Sequence, residues 1–175
     1  MRPAADEPVR TRRLRSEYRR LQELASESDN FLIEEALGDP PEIYVVAFQC
    51  KGVAGPTGVP ASFSDLHRVR ISLGQSFPLQ RPGLEWLTPI FHPNVSADGK
   101  MVCISQWYAT QFLDNLCTML WRMIQYRNFD PYNPLNLRAA EWALAHGSLF
   151  PLDNRPLRHA VAPAAPATEA WVRIL

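Results

Sequence analysis

The order of apolar and polar residues predicts a helix near the start of the chain. From Val9 to Ser26, apolar side chains recur at i, i+4, i+7 and i+11, which places them on one face of an α-helix. These positions are Leu14, Tyr18, Leu21 and Ala25. The other face carries Arg10, Arg12, Arg13, Arg15, Arg19 and Arg20. This arginine face fits either a solvated surface or a docking surface.

A run of strands follows the predicted helix. Segments 31–37 and 42–50 flank Gly-Asp-Pro-Pro, which is a turn signal. Segment 51–65 contains three glycines and two prolines and is predicted as a loop. Segment 67–73 alternates apolar and polar residues, as a half-buried antiparallel strand does. Segment 84–87 is predicted as a short fourth strand.

The second half of the chain predicts two further helices. Residues 113–126 keep the spacing of a buried helical stripe. A third helix is predicted between Asn136, which is a suitable N-cap, and Gly147, which is a stop signal. Strands in one run followed by helices indicate an α+β fold.

These elements divide the chain into three parts. Residues 1–8 are predicted to form a flexible N-terminus, and residues 9–147 one domain. Residues 148–175 are rich in proline and alanine and are predicted as a tail, extended over 148–170. The tail can end in a short ordered piece at Trp171–Leu175.

Charge and composition exclude several classes of function. The formal net charge of the 175 residues is zero, so no global field favours nucleic acid or anionic membranes. The first thirty residues have no apolar signal region, and no apolar run is long enough to span a bilayer, so we expect a cytoplasmic protein. The chain has 16 arginines but two lysines, which fits either a GC-rich genome or a protein that handles amine-reactive intermediates.

Three cysteines are present, and one of them stands in a setting that suits a reactive thiol. Cys50 and Cys117 lie in apolar segments and are expected to be core residues, whereas Cys103 follows a glycine turn among polar neighbours. There is no CxxC pair, and neither a metal nor an organic cofactor is expected. The sequence therefore predicts Cys103 as a candidate nucleophile.

The chemistry of Cys103 depends on its partners. A cysteine hydrolase needs a histidine base, and nothing in the sequence places His67, His92, His146 or His159 beside this thiol. A thiol that carries an acyl group as a thioester needs mainly positioning and stabilisation of the oxyanion. The amide of Asn94, held by the rigid Pro93, is one candidate donor for that purpose.

The order of motifs resembles the ubiquitin-conjugating enzyme family. FPLQRP is followed by FHPN, a glycine turn with Cys103, Trp107, a helix, DPYNPLN and AAEW, and the resemblance covers about residues 9–147. It implies the fold of that family, with an N-terminal helix, a four-stranded antiparallel meander and then helices. It also implies that Cys103 carries a ubiquitin-like modifier, received from an adenylating activating enzyme, and passes it to an amine of a target protein.

The resemblance also implies roles for other residues. Asn94 would order the site or stabilise the oxyanion, and His92 and Pro93 would support the turn. Pro78 and Leu79 would belong to the loop that meets a RING-type ligase, although the use of a ligase is left open. Arg12, Arg15 and Arg19 would meet the activating enzyme, which itself uses the ATP and magnesium.

The chain departs from the family pattern at several points. The turn from Asn94 to Cys103 is one residue longer, the segment to Trp107 is shorter, and the closing helices are replaced by the tail. Asn133 stands just before Pro-Leu, where the family usually has an acidic or serine residue. Asp130 and Asp114 are the nearest carboxylates in the sequence to this loop.

These departures and the arginine bias resemble divergent bacterial relatives from conjugation operons, several of them associated with defence against phage. The alternative is a non-catalytic relative that acts as a binding or adaptor module. Such relatives usually lack the cysteine.

Overall fold

The computed structural model describes residues 7–55 and 62–159. The helices are α1 (Val9–Ser26), α2 (Leu113–Ile124), α3 (Leu137–Ala145) and a short 3-10 helix (Gly147–Leu149). The strands are β1 (Phe31–Gly38), β2 (Pro41–Phe48), β3 (Gly52–Gly55), β4 (Ser62–Ser64), β5 (His67–Ser72) and β6 (Gly83–Trp86). None of the helices in the described ranges is long and apolar enough to cross a membrane.

The main sheet is the predicted antiparallel meander. Its strand order is β1-β2-β5-β6, and each strand pairs with the next one in the list. Alternation along β5 buries Val69 and Ile71 completely. Arg68 lies on the other face, where its guanidinium pairs with Glu34. The period-2 pattern therefore predicted both the strand and the face that it buries.

The segment predicted as a loop between β2 and β5 contains a second, two-stranded sheet. β3 pairs with β4, and residues 56–61 between them lie outside the described residues. A Cβ on Gly52 would lie 2.5 Å from Nε2 of His67, so only glycine lets this strand pack there. The loop prediction was wrong for these strands, because it interpreted the glycines as turn signals, whereas Gly52 allows close packing against His67.

The two long helices pack together and, with the sheet, enclose one core. α1 contributes Leu14, Leu21 and Leu24, and α2 contributes Leu116 and Leu120, all at most 2% exposed. Burial of one such side chain contributes about 1.5–3 kcal/mol relative to its exposure. The predicted stripe of α2 is confirmed, and that of α1 is confirmed at Leu14 and Leu21. Tyr18 and Ala25 of the predicted α1 stripe are only partly buried, and Leu24 is buried instead.

A buried carboxylate joins α1 to the start of α2. Glu17 is fully buried, and its Oε2 accepts a hydrogen bond of 2.8 Å from the backbone N–H of Leu113. Its Oε1 accepts a second bond from Nε of Arg13 at 2.6 Å. Phe112 offers no side-chain cap, so Glu17 supplies the anionic cap that the N-terminus of α2 favours.

The described part of the predicted tail packs against the domain. Leu157 is 4% exposed and belongs to the core, and the N–H of His159 donates to the carbonyl of Glu27. Residues 148–159 therefore contribute to the fold, although part of this segment has no regular secondary structure. The predicted piece at Trp171–Leu175 and residues 1–6 lie outside the described residues.

Candidate active site

The first residue of the His-Pro-Asn segment is enclosed in an aromatic cluster. The ring of His92 is 4.9 Å from that of Tyr126 and 6.5 Å from that of Phe129, and the residue is 1% exposed. Nδ1 accepts a hydrogen bond from the N–H of Asn94, and burial lowers the pKa of His92 to about 3. His92 is therefore neutral at physiological pH and holds the turn.

Pro93 connects this segment to the start of α3. Its carbonyl oxygen accepts hydrogen bonds from the N–H groups of Leu135 and Asn136, at 2.8 and 3.0 Å. Asn136 in turn caps α3, because its side-chain oxygen accepts from the N–H of Ala139. The N-cap assigned to Asn136 from the sequence is confirmed, and Pro93 fixes its position.

Asn94 holds the opposite end of the same loop. Its Oδ1 accepts from the N–H of Asp130 at 2.7 Å, and its Nδ2 donates to the carbonyl of Asp130 at 3.0 Å. This pairing uses one of the two amide hydrogens, so one N–H is left for another acceptor. The direct contact of Asn94 is thus with the Asp-Pro loop, which favours an organising role.

A tight hairpin brings Cys103 back beside Asn94. Val95 and Val102 form an isolated antiparallel bridge, and the N–H of Cys103 donates to the carbonyl of Asn94 at 2.8 Å. Gly99 turns the chain with φ of +74°, and a Cβ there would lie 2.3 Å from the carbonyl oxygen of Trp86. Only glycine fits this turn.

Cys103 differs from the other two cysteines in its access to solvent. It is half-buried, whereas Cys50 and Cys117 are at most 1% exposed. Burial raises the pKa of Cys50 to about 12 and also raises that of Cys117 strongly. Neither buried thiol can readily form the thiolate that a nucleophile needs.

Two cavities meet at Cys103, and they differ in charge. One, of about 320 Å³, has Arg81 and Lys100 as its charged lining residues. The other, of about 210 Å³, is lined by Asn94 and Phe129, and its charged lining residue is Asp130. Cys103 therefore lies between one cavity bordered by two basic residues and another bordered by an acidic residue.

The acidic residue that shares a cavity with Cys103 is Asp130, whose Oδ1 accepts a hydrogen bond from the N–H of Tyr132. Asn133 is exposed and lines neither cavity, and Asp114 pairs with Arg20 and Arg158 elsewhere. The sequence indicated Asp130 as a nearby acidic residue. Asp130 reaches the cavity at Cys103 because the side chain of Asn94 pairs with the backbone of Asp130, which is 36 residues away.

The loop expected to meet a ligase is attached to Trp107. The indole N–H of Trp107 donates to the carbonyl of Pro78 at 2.8 Å. Leu79 is 83% exposed beside it, and Tyr108 is 55% exposed. The two segments thus present neighbouring apolar groups, and ligase binding there stays a prediction.

The arginines of α1 separate into two sets. Arg10 pairs with Glu42, Arg13 donates to the carbonyls of Ala109 and Gln111, and Arg20 stacks over Phe112. Arg12, Arg15 and Arg19 are exposed. The arginines therefore do not form one outward face, because three of them bind parts of the same domain.

The fold is that of the ubiquitin-conjugating class. A family model described as "Ubiquitin-conjugating enzyme" matches residues 13–151, and the chain belongs to this family. It has the expected N-terminal helix, four-stranded antiparallel sheet and following helices.

Similar proteins share a shorter region. The chain is 42% identical over 53 residues to "Ubiquitin-conjugating enzyme E2 S" of Drosophila melanogaster and of Drosophila simulans, and 40% identical to that of Drosophila ananassae. The matches cover 30% of this chain and 24% of each relative. The chain thus spans about a quarter of these relatives, and they give no support to a bacterial origin.

Proposed function

We propose that the chain carries a ubiquitin-like modifier as a thioester on Cys103. The modifier comes from an adenylating activating enzyme and passes to an amine of a target protein. The accessible thiol between two cavities, within the fold of this family, is the observation that supports this function.

The first step is an exchange of thioesters. The Cys103 thiolate attacks the carbonyl carbon of the modifier's C-terminus on the activating enzyme, a new C–S bond forms, and the enzyme's own thiolate leaves. ATP and magnesium act earlier, on the activating enzyme. This step needs an accessible thiol, which among the three cysteines only Cys103 provides.

The second step is aminolysis. A neutral amine attacks the thioester carbonyl, the C–N bond forms, the bond to Cys103 Sγ breaks, and the amine's proton passes to a base or to water. His92 cannot serve as this base because it is buried with a pKa of about 3. Asp130 lines the same cavity as the thiol and is the carboxylate available to orient the incoming ammonium.

Asn94 has two possible contributions to this step. Its pairing with Asp130 fixes the loop that bounds the cavity, which supports a positioning role. Its remaining amide N–H could also stabilise the oxyanion. Asn133 has no carboxylate that could accept a proton, so we expect this chain to deprotonate an incoming lysine only weakly.

The biological setting rests on the resemblance alone. A place in a bacterial conjugation operon, with a role in defence against phage, stays a prediction. The modifier, the target and any ligase that contacts Pro78 and Leu79 are likewise to be found by experiment. A non-catalytic binding module is the alternative function.

Charging of the purified protein tests the proposal directly. The chain is incubated with activating enzyme, modifier and ATP, and its adduct is analysed with and without reducing agent. We expect a reducible adduct on the wild type, a slower-forming and thiol-resistant oxyester on Cys103→Ser, and none on Cys103→Ala. A normal thioester on Cys103→Ala would refute the assignment, and no adduct on the wild type would favour the binding module.

A further inference from the structure

A groove between α2 and the C-terminal segment carries an unusual concentration of arginines. It has a volume of about 520 Å³, and its charged lining residues are Arg122, Arg127, Arg155, Arg158 and Asp153. Four cations and one carboxylate leave an excess of positive charge on one small surface. The chain as a whole has zero formal charge, so this concentration is local.

Two of these guanidinium groups have no carboxylate partner within the described ranges. Arg155 pairs with Asp153, and Arg158 pairs with Glu27 and Asp114. Arg127 instead donates only to neutral oxygens, those of Gln125, Asp153 and Asn154.

Arg122 is exposed on α2, and its guanidinium makes no hydrogen bond or ion pair with residues 7–55 or 62–159. The guanidinium groups of Arg122 and Arg127 therefore have no ion-pair partner within the described ranges, and Arg127 shares the nearby charge of Asp153 with Arg155.

A buried donor in the wall of the groove also lacks a partner. Gln125 is 1% exposed, and its Oε1 accepts from Nε of Arg127 and from the N–H of Asp153. These two donors identify the oxygen, so the other terminal atom is the NH₂ group. That Nε2 has no hydrogen-bond partner among the described residues. This atom is closed off from solvent, and a buried unsatisfied amide costs free energy. A small shift of the groove wall that lets Nε2 reach a bound acceptor would remove that cost.

We propose that this groove binds a phosphate group. A phosphate monoester carries about −1.5 to −2 charges at neutral pH, which matches the guanidinium groups of Arg122 and Arg127, and it offers three acceptor oxygens. Arginine binds such groups through paired N–H donors, and Gln125 adds a neutral donor. A single carboxylate would neutralise only one of the two charges.

Occupation of the groove would strengthen the attachment of the C-terminal segment. Arg122 and Gln125 belong to α2 or directly follow it, whereas Arg155 and Arg158 belong to the segment that buries Leu157. A phosphate held by both sides joins them. The inference does not depend on thioester chemistry, so Cys103→Ala should bind phosphate as the wild type does.

The test is a titration of the isotope-labelled full chain followed by NMR. Inorganic phosphate replaces chloride at constant ionic strength and pH, and pyrophosphate and acetate form separate arms. We expect saturable shifts of the Gln125 side-chain amide and the Trp121 indole with phosphate and pyrophosphate. Arg122→Gln should weaken binding roughly tenfold, the scale of one lost hydrogen bond to a charged group.

Two further variants complete the test. Gln125→Glu keeps an oxygen for Arg127 and Asp153 but places negative charge in the wall, and it should abolish binding. Arg12→Gln removes an exposed arginine of α1 outside the groove and should leave binding unchanged.

Three results would overturn the proposal: shifts that grow linearly and match those caused by chloride, equal affinity for acetate and phosphate, or unchanged affinity in Arg122→Gln. Because Arg122 is exposed and unpaired, its variant decides the question even if Gln125→Glu fails to fold.

Discussion

At the scale of single residues, the side chain of Asn94 determines where the Asp-Pro loop sits. Its paired hydrogen bonds to the backbone of Asp130 and the bonds of Pro93 to residues 135 and 136 hold the two ends of this loop. The sequence predicted that Asn94 acts near Cys103, but it left organising and oxyanion roles open. The contact is 36 residues away in sequence, so no local pattern reveals it.

The Asn94→Ala variant should separate charging from discharge. Thioester formation on Cys103 should continue, because the thiol is held by backbone contacts. Discharge to amines should slow, by about 10²–10³-fold if the oxyanion donor is lost. Single-turnover discharge and urea unfolding are the measurements. Unchanged discharge would exclude both roles, and loss of both charging and folding would show that Asn94 is purely structural.

Asn133 and Asp130 should differ in their effect on discharge to lysine. A lysine with a pKa of about 10.4 is only about one part in a thousand neutral at pH 7.4, so wild-type discharge should be slow and rise steeply with pH. Asn133→Asp should raise the rate near neutral pH and flatten the profile. Asp130→Asn, which leaves the backbone atoms paired with Asn94, should lower the rate.

The measurement is discharge of the preformed thioester to free lysine over a range of pH. Rapid discharge by the wild type at pH 7 would contradict this view of the site. A pH profile of discharge that is the same for Asn133→Asp as for the wild type would also contradict it.

At the scale of elements, the spacing of apolar residues predicted α1, α2 and the strand β5, and turn signals in the sequence predicted β1 and β2. The pairs that join these elements could not be predicted in this way. Glu17 stands among arginines in the sequence and would be expected at the surface, yet it caps α2 from within the core. Its partner, the N–H of Leu113, is 96 residues away.

The exposed arginines of α1 supply a prediction about the activating enzyme. Reversal of Arg12, Arg15 and Arg19 to Glu should slow charging at low salt, because these exposed cations would meet the activating enzyme. It also removes the surface ion pairs of Arg15 with Glu7 and of Arg19 with Glu23, each of which contributes about 0–1 kcal/mol. The melting temperature should remain nearly the same, as is usual for surface substitutions. Charging rates and thermal unfolding are compared with the wild type.

A matched control comes from the same helix. Arg13→Gln removes the contacts with Glu17 and with the carbonyls of Ala109 and Gln111, so it should lower stability. Equal charging rates of the triple variant and the wild type at low salt would remove the docking role.

At the scale of the whole molecule, two neutral histidines in the interior make the fold sensitive to acid. His67 and His92 are at most 1% exposed, and burial lowers their pKa values to about 4 and about 3. In the unfolded chain each titrates near 6.5. Between these values the unfolded state binds more protons than the folded state, so stability falls as pH falls.

The expected loss begins as pH drops below 6.5 and continues to about pH 4, approaching about 1.4 kcal/mol per pH unit for each histidine. Glu17 acts in the opposite direction, because burial raises its pKa and protonation favours the folded state. Its effect lies between about pH 4.5 and its raised pKa in the folded state, so the histidines are isolated by comparison with variants that keep Glu17. Urea unfolding at closely spaced pH values measures this slope.

Variants that keep the hydrogen bond but cannot titrate provide the decisive comparison. His92→Asn can still accept from the N–H of residue 94, and His67→Gln can still donate to the carbonyl of Ser64. Each should be less stable at pH 7 because the ring packing is lost, yet each should have a flatter slope between pH 6.5 and pH 5. The variant that combines His92→Asn and His67→Gln should have the flattest slope. If its stability falls as steeply as that of the wild type, the acid sensitivity does not come from these two rings, and the neutral state assigned to His92 is wrong.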